Sequence, residues 1–220
     1  MTSAEPSLLL AVGSLILGLA ASILWTITGH LITIAHEGSH ALVASATGWS
    51  VDHIRVEARQ DGYTEFKESS VGFLAALSGY AGPSLFGIAG ATLLANGVSP
   101  ETMLWISFAC LVIIFVQMKH VFSLFITALW GVVIFLLVRE GSPGVRALAA
   151  YTLVWFLLLG GVVQTFVYNA GGRRSDDSRV LKDMTKVPMG FWCALWCMAA
   201  VAALVYGGGV LLRFIAPPLG

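Results

Sequence analysis

The sequence predicts an all-α polytopic membrane protein of about seven transmembrane helices, six as the alternative count, with a short β-hairpin after the second helix. Three observations predict it. Only 24 of 220 residues are charged, 12 Lys+Arg and 12 Asp+Glu, against about a quarter in an ordinary soluble domain. Hydrophobic residues make up 57% and mean hydropathy is +0.85, more apolar surface than a soluble fold of this size can hide. The apolar residues fall in runs close to the roughly 20 that cross a hydrocarbon core about 30 Å thick, separated by turn and helix-stop signals. A net charge of zero argues against a basic nucleic-acid surface. Cys110, Cys193 and Cys197 all sit in apolar stretches and read as packing residues rather than a disulfide framework. Residues 1–7 contain no Lys or Arg, so the start does not read as a secretory signal and the first apolar segment is expected to stay.

A single integral membrane domain over 1–220 is expected to hold helices at about 8–25, 27–47, 71–95, 100–117, 120–138, 145–168 and 189–214. The first two flow into each other, with a break placed near Thr26 to His30 because together they are too long for one perpendicular span. The polar interlude 48–70 carries Val51, Ile54 and Val56, then Tyr63 and Phe66, around Asp61-Gly62, which predicts two short strands turning at that Asp-Gly pair. Such a hairpin has to lie at the membrane surface or be shielded by protein, since an unpaired edge is not stable in lipid. The third helix is interrupted by Gly79, Gly82 and Pro83. Ser99-Pro100-Glu101 supplies an N-cap, a first-turn Pro and a first-turn acid, so the fourth helix starts there. Gln117, Lys119 and His120 break the next apolar run, Ser142-Pro143 starts the sixth helix, and Pro217-Pro218 ends the seventh after the polar Asp loop 169–188.

Seven spans place the amino terminus, the hairpin, the Lys119 break and the late loop on one side. Those segments hold nine Lys and Arg (Arg55, Arg59, Lys67, Lys119, Arg173, Arg174, Arg179, Lys182, Lys186) against three elsewhere (Arg139, Arg146, Arg213). The positive-inside rule then puts that side in the cytoplasm and the carboxyl terminus outside.

Within the second helix lies His36-Glu37-Gly38-Ser39-His40, the pattern H-E-x-x-H. Residues four apart on a helix lie about 40° from eclipsed, so both imidazoles can reach one Zn²⁺ while Glu37 stands beside it. Two neutral nitrogen ligands, an open coordination position and a neighbouring carboxylate are what metal-assisted hydrolysis requires. Glu37 is the only carboxylate between Leu8 and Val51, and an ionisable group in a membrane helix costs about 2.5–3.5 kcal/mol on insertion scales. The competing readings are a polar cluster gluing helices together, helped by Gly38, Ser39 and Ala41, and a haem or proton-transport site. His30 lies about 120° round the helix from His36 and reads as a packing residue. A hydrolytic zinc takes a third protein ligand. His53, His120, Glu65, Asp176, Asp177 and Asp183 are candidates among which spacing does not choose.

The order of these motifs resembles the site-2 protease family of intramembrane zinc metalloproteases, and more narrowly its compact bacterial branch, the B-like group of metallopeptidase family fifty. The matching pieces are His36 to Ala41 with Thr47-Gly48, Gly62-Tyr63-Thr64, Gly79-Tyr80-Ala81-Gly82-Pro83, and Ser175-Asp176-Asp177 with Leu181, Thr185 and Pro188 before Phe191-Trp192. The branch has Leu four residues after its metal-binding Asp, so the resemblance selects Asp177 as third ligand. It implies one Zn²⁺ per chain held by His36, His40 and Asp177, with Glu37 as general base. It further implies a transmembrane protein as substrate, the lipid bilayer as surroundings, no nucleic acid, and a bacterial plasma membrane as location. The oligomeric state is left open. Gly79, Gly82 and Pro83 read as a packing kink or, with His120, as residues that support the site or the substrate. Lys119-His120 replaces the Arg-Asn pair that the branch often carries, and no inserted soluble module is present. The hairpin offers a strand edge for an unwound substrate, or is simply a surface connector.

Overall fold

A computed structural model describes residues 8–67, 72–170 and 176–215. Val71, Arg173, Arg174, Ser175 and Pro217-Pro218, used above, lie outside them. The elements are α1 (Leu8–Ile23), α2 (Trp25–Ala46), β1 (Val51–Val56), β2 (Gly62–Phe66), α3 (Phe73–Ala95), α4 (Pro100–Phe115), α5 (Val121–Glu140), α6 (Pro143–Ala170), α7 (Asp176–Thr185) and α8 (Met189–Ile215).

All seven expected apolar helices are present, but seven separate spans are not. Among the described residues only α3, α5, α6 and α8 are each long and apolar enough to cross a membrane. α1 and α2 qualify only as a pair bent by 96°, which raises the count to five, and α4 is too short at 16 residues. The bend falls at Leu24, ahead of the expected 26–30. The Thr28 hydroxyl reaches back across it to the carbonyls of Ala21 at 2.6 Å and Leu24 at 3.0 Å, satisfying backbone groups that a break would orphan in an apolar setting.

Side-chain contacts fix the directions. Gly13 meets Leu148 and Gly18 meets Trp155, so α1 runs parallel to α6; Ser84, Gly87 and Gly90 meet Gly161, Leu158 and Val154, so α3 runs antiparallel to it. α2 in turn runs antiparallel to α3, with His40 at Ala75 and Ser39 at Gly82. α1 and α2 therefore run the same way relative to α6 and reach the length of a span only as a pair. Leu8 lies at the end of the bundle where α6 begins, opposite the hairpin, and the expectation that the amino-terminal helix starts on the hairpin side is corrected. Glycines at these contacts let the backbones approach, as is usual where packing rather than a hydrophobic drive joins helices in lipid.

Two further expectations change. α3 continues unbroken through Pro83. The hairpin does not turn at Asp61-Gly62: Gly62 already pairs with Val56 in the ladder, and residues 57–61 form the loop, with Gln60 at φ 65° and Glu57 donating to the Asp61 carbonyl. A two-residue turn would have placed Gly62 outside the strand. The outer edge of β1 and the loop of the hairpin are covered by protein, whereas Tyr63 and Glu65 of β2 are exposed. Its loop lies against the start of α2, where the Gln60 amide donates to the Trp25 carbonyl, the Thr33 hydroxyl to the Gln60 carbonyl, and His30 Nε2 meets the Ala58 carbonyl. His30 is thus a packing residue. The outer edge of β1 bonds the α4–α5 break, Ile54 N–H to the Gln117 carbonyl, and Ser123 both accepts from Val56 N–H and donates to its carbonyl.

Ser123 is fully buried, so Ser123→Ala leaves the Val56 amide without a partner. It is expected to destabilise the protein by about 1–3 kcal/mol, read from unfolding in detergent. A second tie is pH-dependent. Asp52 is held below the usual carboxylate range by a hydrogen bond from His53 and by Lys119 at 2.9 Å. Its contribution to hairpin docking is therefore complete at neutral pH and is lost as pH falls through that lowered value. Amide exchange of β1 is expected to be faster in Asp52→Asn than in wild type at pH 7 and to match it once Asp52 is protonated. The difference is small because solvent reaches both side chains.

Candidate metal centre

Three ligand atoms from distant parts of the chain converge. His36 Nε2 and His40 Nε2 are 3.2 Å apart, and Asp177 Oδ2 lies 3.1 Å from the first and 3.4 Å from the second. Zn–N and Zn–O bonds of about 2.0–2.1 Å arranged tetrahedrally give ligand–ligand edges of about 3.3–3.4 Å. The triangle has that size. Asp177 Oδ2 is buried and makes no hydrogen bond, the state expected of a ligand atom rather than of a hydrogen-bonded partner. Burial pushes the Asp177 carboxyl up and the neighbouring imidazoles pull it below the usual carboxylate range. The nitrogen and oxygen donor set and the edge lengths fit a tetrahedral divalent metal.

Each ligand is positioned by its local sequence. His36 and His40 share one face of α2 by their four-residue spacing. The His40 Nδ1–H donates to the Ala75 carbonyl at 2.7 Å, which leaves Nε2 as the lone-pair nitrogen facing the centre. The edge of the Tyr80 ring packs against His36, with centroids 4.7 Å apart, and Tyr80 lies against Trp196, whose indole N–H donates to the Leu77 carbonyl. Asp177 comes from the first turn of α7, expected only as part of a polar loop. Its signal was in the sequence: Asp176 and Asp177 in a first turn, Lys182 in a last turn, and Val180-Leu181 between them. Leu181, four residues on, lies on the same face and is fully buried among Ala76, Tyr80, Trp192 and Trp196. The Thr185 hydroxyl donates to the Leu181 carbonyl and accepts from Val187 N–H, closing α7 before Pro188.

Gly79 and Gly82 explain how α3 comes so close. A Cβ at Gly79 would land on the Nε2 atoms of both imidazoles, and one at Gly82 would land on the Ser39 hydroxyl. Pro83 is buried in the same helix. His120 is exposed at the N-cap of α5 and is not part of the cluster. Of the other candidates, His53 and Glu65 join Asp52 in a separate group, with His53 between the two carboxylates at 2.8 and 3.4 Å. Asp176 faces Arg179, and the Asp183 carbonyl accepts from Lys186. Glu37 is buried beside the triangle and accepts a hydrogen bond from Thr64, a partner that sequence reasoning did not find because it comes from across the hairpin.

Gly79→Ala is expected to lower metal affinity at least about 10–100-fold, by analogy with the loss of groups that orient ligands, whereas Gly190→Ala, with open space around its Cβ, leaves it unchanged. Metal titration of the two purified variants checks this.

No curated protein and no solved structure gives a significant match to the chain. The family model described as Peptidase M50B-like matches residues 8–207, nearly the whole sequence and both segments that form the triangle. The chain belongs to the Peptidase M50B-like family.

Proposed function

We propose that this chain is a zinc-dependent intramembrane endopeptidase that hydrolyses a peptide bond in or next to a transmembrane segment of another membrane protein. The observation that carries the reading is the buried His36–His40–Asp177 triangle with a carboxylate, Glu37, on the same helical turn. A structural metal has no need of that carboxylate. His36, His40 and Asp177 would hold one Zn²⁺ and leave a fourth position open. The metal supplies Lewis acidity toward a scissile carbonyl and makes water acidic enough to ionise near neutral pH. Glu37 takes the proton of the attacking water and delivers it to the leaving amine nitrogen as the C–N bond breaks.

A transmembrane substrate hides its carbonyls in helical hydrogen bonds, so it has to unwind before attack. Among the described residues no strand pairs with the outer edge of β2. That edge is suited to receive the unwound segment as an added strand. In the sequence the hairpin, the 117–120 break and the 169–188 segment carry nine of the twelve Lys and Arg, which favours a cytoplasmic hairpin end, with the first described residue and the end of α8 on the other side.

Glu37→Gln is expected to keep metal content and lower cleavage of a membrane substrate by at least about 10²-fold, while Asp177→Asn loses metal. Metal analysis of purified protein, together with cleavage in reconstituted vesicles, checks both. Undiminished cleavage by Glu37→Gln would mean the carboxylate is not the base, and full metal content in Asp177→Asn would remove Asp177 from the ligand set.

A further inference from the structure

The side of Glu37 away from the triangle is covered by the hairpin. The Thr64 hydroxyl lies 2.8 Å from Glu37 Oε2 and 3.1 Å from the Glu37 main-chain carbonyl. Two residues earlier in β2, on the same face of the strand, a Cβ at Gly62 would stand 2.8 Å from Glu37 Oε1 and 2.9 Å from Glu37 Cγ and from the Thr33 methyl. Only a glycine lets the strand lie this close to the carboxylate. The pattern Gly-x-Thr thus places one bare backbone position and one hydroxyl on the two oxygens of a single buried side chain.

The Thr64 bond is not needed to keep the hairpin in place. Ile54 to Gln117, Val56 to Ser123, His30 to Ala58, Thr33 to Gln60 and Gln60 to Trp25 already tie it at its outer edge and its loop. A hydroxyl donated to a carboxylate is instead the means of fixing a flexible Glu in one rotamer, since charge-assisted bonds are short and directional.

We propose that Thr64 is a positioning residue for Glu37: its hydroxyl engages Oε2, fixes the carboxylate plane and leaves Oε1 to handle the proton, so that the hairpin sets the geometry of the base. This rests on Glu37 being the base. It adds that the base is oriented from outside its own helix, by the strand whose outer edge is open to a substrate. Gly62 is the companion requirement, because a side chain there would displace either β2 or the carboxylate.

The test compares wild type, Thr64→Val, Thr64→Ser and Glu37→Gln. Val keeps the β-branched shape and removes the donor; Ser keeps the donor. Metal-free protein of each variant is first compared by amide exchange over β1 and β2, where Thr64→Val is expected to match wild type. With metal restored, Thr64→Val is expected to lower kcat about 10–100-fold, the scale of a misplaced catalytic group, with KM and metal content unchanged. Thr64→Ser recovers most of the rate. A readout without turnover is the affinity for a peptide hydroxamate, which binds the metal and donates its hydroxyl to the base. It is expected to weaken about tenfold in Thr64→Val and in Glu37→Gln, and to be retained in Thr64→Ser, as loss of one charge-assisted bond predicts. Wild-type kcat and hydroxamate affinity in Thr64→Val would overturn the proposal while leaving Glu37 as base. A Glu37→Gln protein that cleaves and binds hydroxamate like wild type would overturn the reading on which it rests. Failure of Thr64→Ser to restore either readout would show that shape, not the donated bond, matters at position 64, and would also overturn it.

Discussion

Two imidazoles and two carboxylates held inside an apolar helix bundle have lost their water, and that loss is tolerable only where they engage one another or a metal. His36, Glu37, His40 and Asp177 are such a group, and much of the architecture serves to bring them together. α2 supplies three of them from one turn and a half. The fourth has to come from far along the chain, and α7 delivers it by burying Leu181 among Ala76, Tyr80, Trp192 and Trp196. The spacing between Asp177 and Leu181 is one helical turn, so the anchor and the ligand share a face. The candidate metal site and a small apolar core are in this way two ends of the same short helix.

The close approach of α3 is the second consequence. Its glycines replace side chains with space: Gly79 for the imidazole nitrogens, Gly82 for the Ser39 hydroxyl. The Ala75 carbonyl, one turn before Gly79, then reaches His40 Nδ1 and orients the ring. A helix with larger residues at these positions would have to stand off and take the Ala75 carbonyl away from His40 Nδ1. The same economy of side chains at Gly62 lets a β-strand lie on Glu37, so the site is walled by a helix on one side and a hairpin on the other. The β1 edge and the loop of the hairpin find their hydrogen-bond partners at the α4–α5 break and along α2, which lets a strand lie beside apolar helices.

Much of this was legible in the sequence. H-E-x-x-H and the lone carboxylate Glu37 identified the ligand helix because charge is scarce in the chain. Ser99-Pro100 and Ser142-Pro143 marked true helix starts, and α4 indeed begins with the Ser99 hydroxyl capping Thr102 N–H. Other features are not legible from local pattern alone. The run from Leu8 to Thr47 reads as two crossings, whereas its two helices, bent by 96° at Leu24, reach the length of a span only as a pair. The acids at Asp176 and Asp177 were seen as a loop because their helix is short and polar on one face. Asp61-Gly62 carried a turn signature, yet the contact of Gly62 with Glu37 requires it in the strand.

The sequence by itself determined the class of the protein, an apolar helical chain of the membrane, and the residue types of its chemistry, because composition and a four-residue spacing are local properties. Tertiary structure decided which of six candidate third ligands meets the two histidines, on which end of the bundle the first helix begins, and what holds Glu37. These depend on contacts between residues far apart in the chain, such as Asp177 with His36 and Thr64 with Glu37, and each is fixed by a packing requirement elsewhere. Leu181 had to be buried for Asp177 to arrive, and Gly62 and Gly79 had to lack side chains for the walls of the site to close.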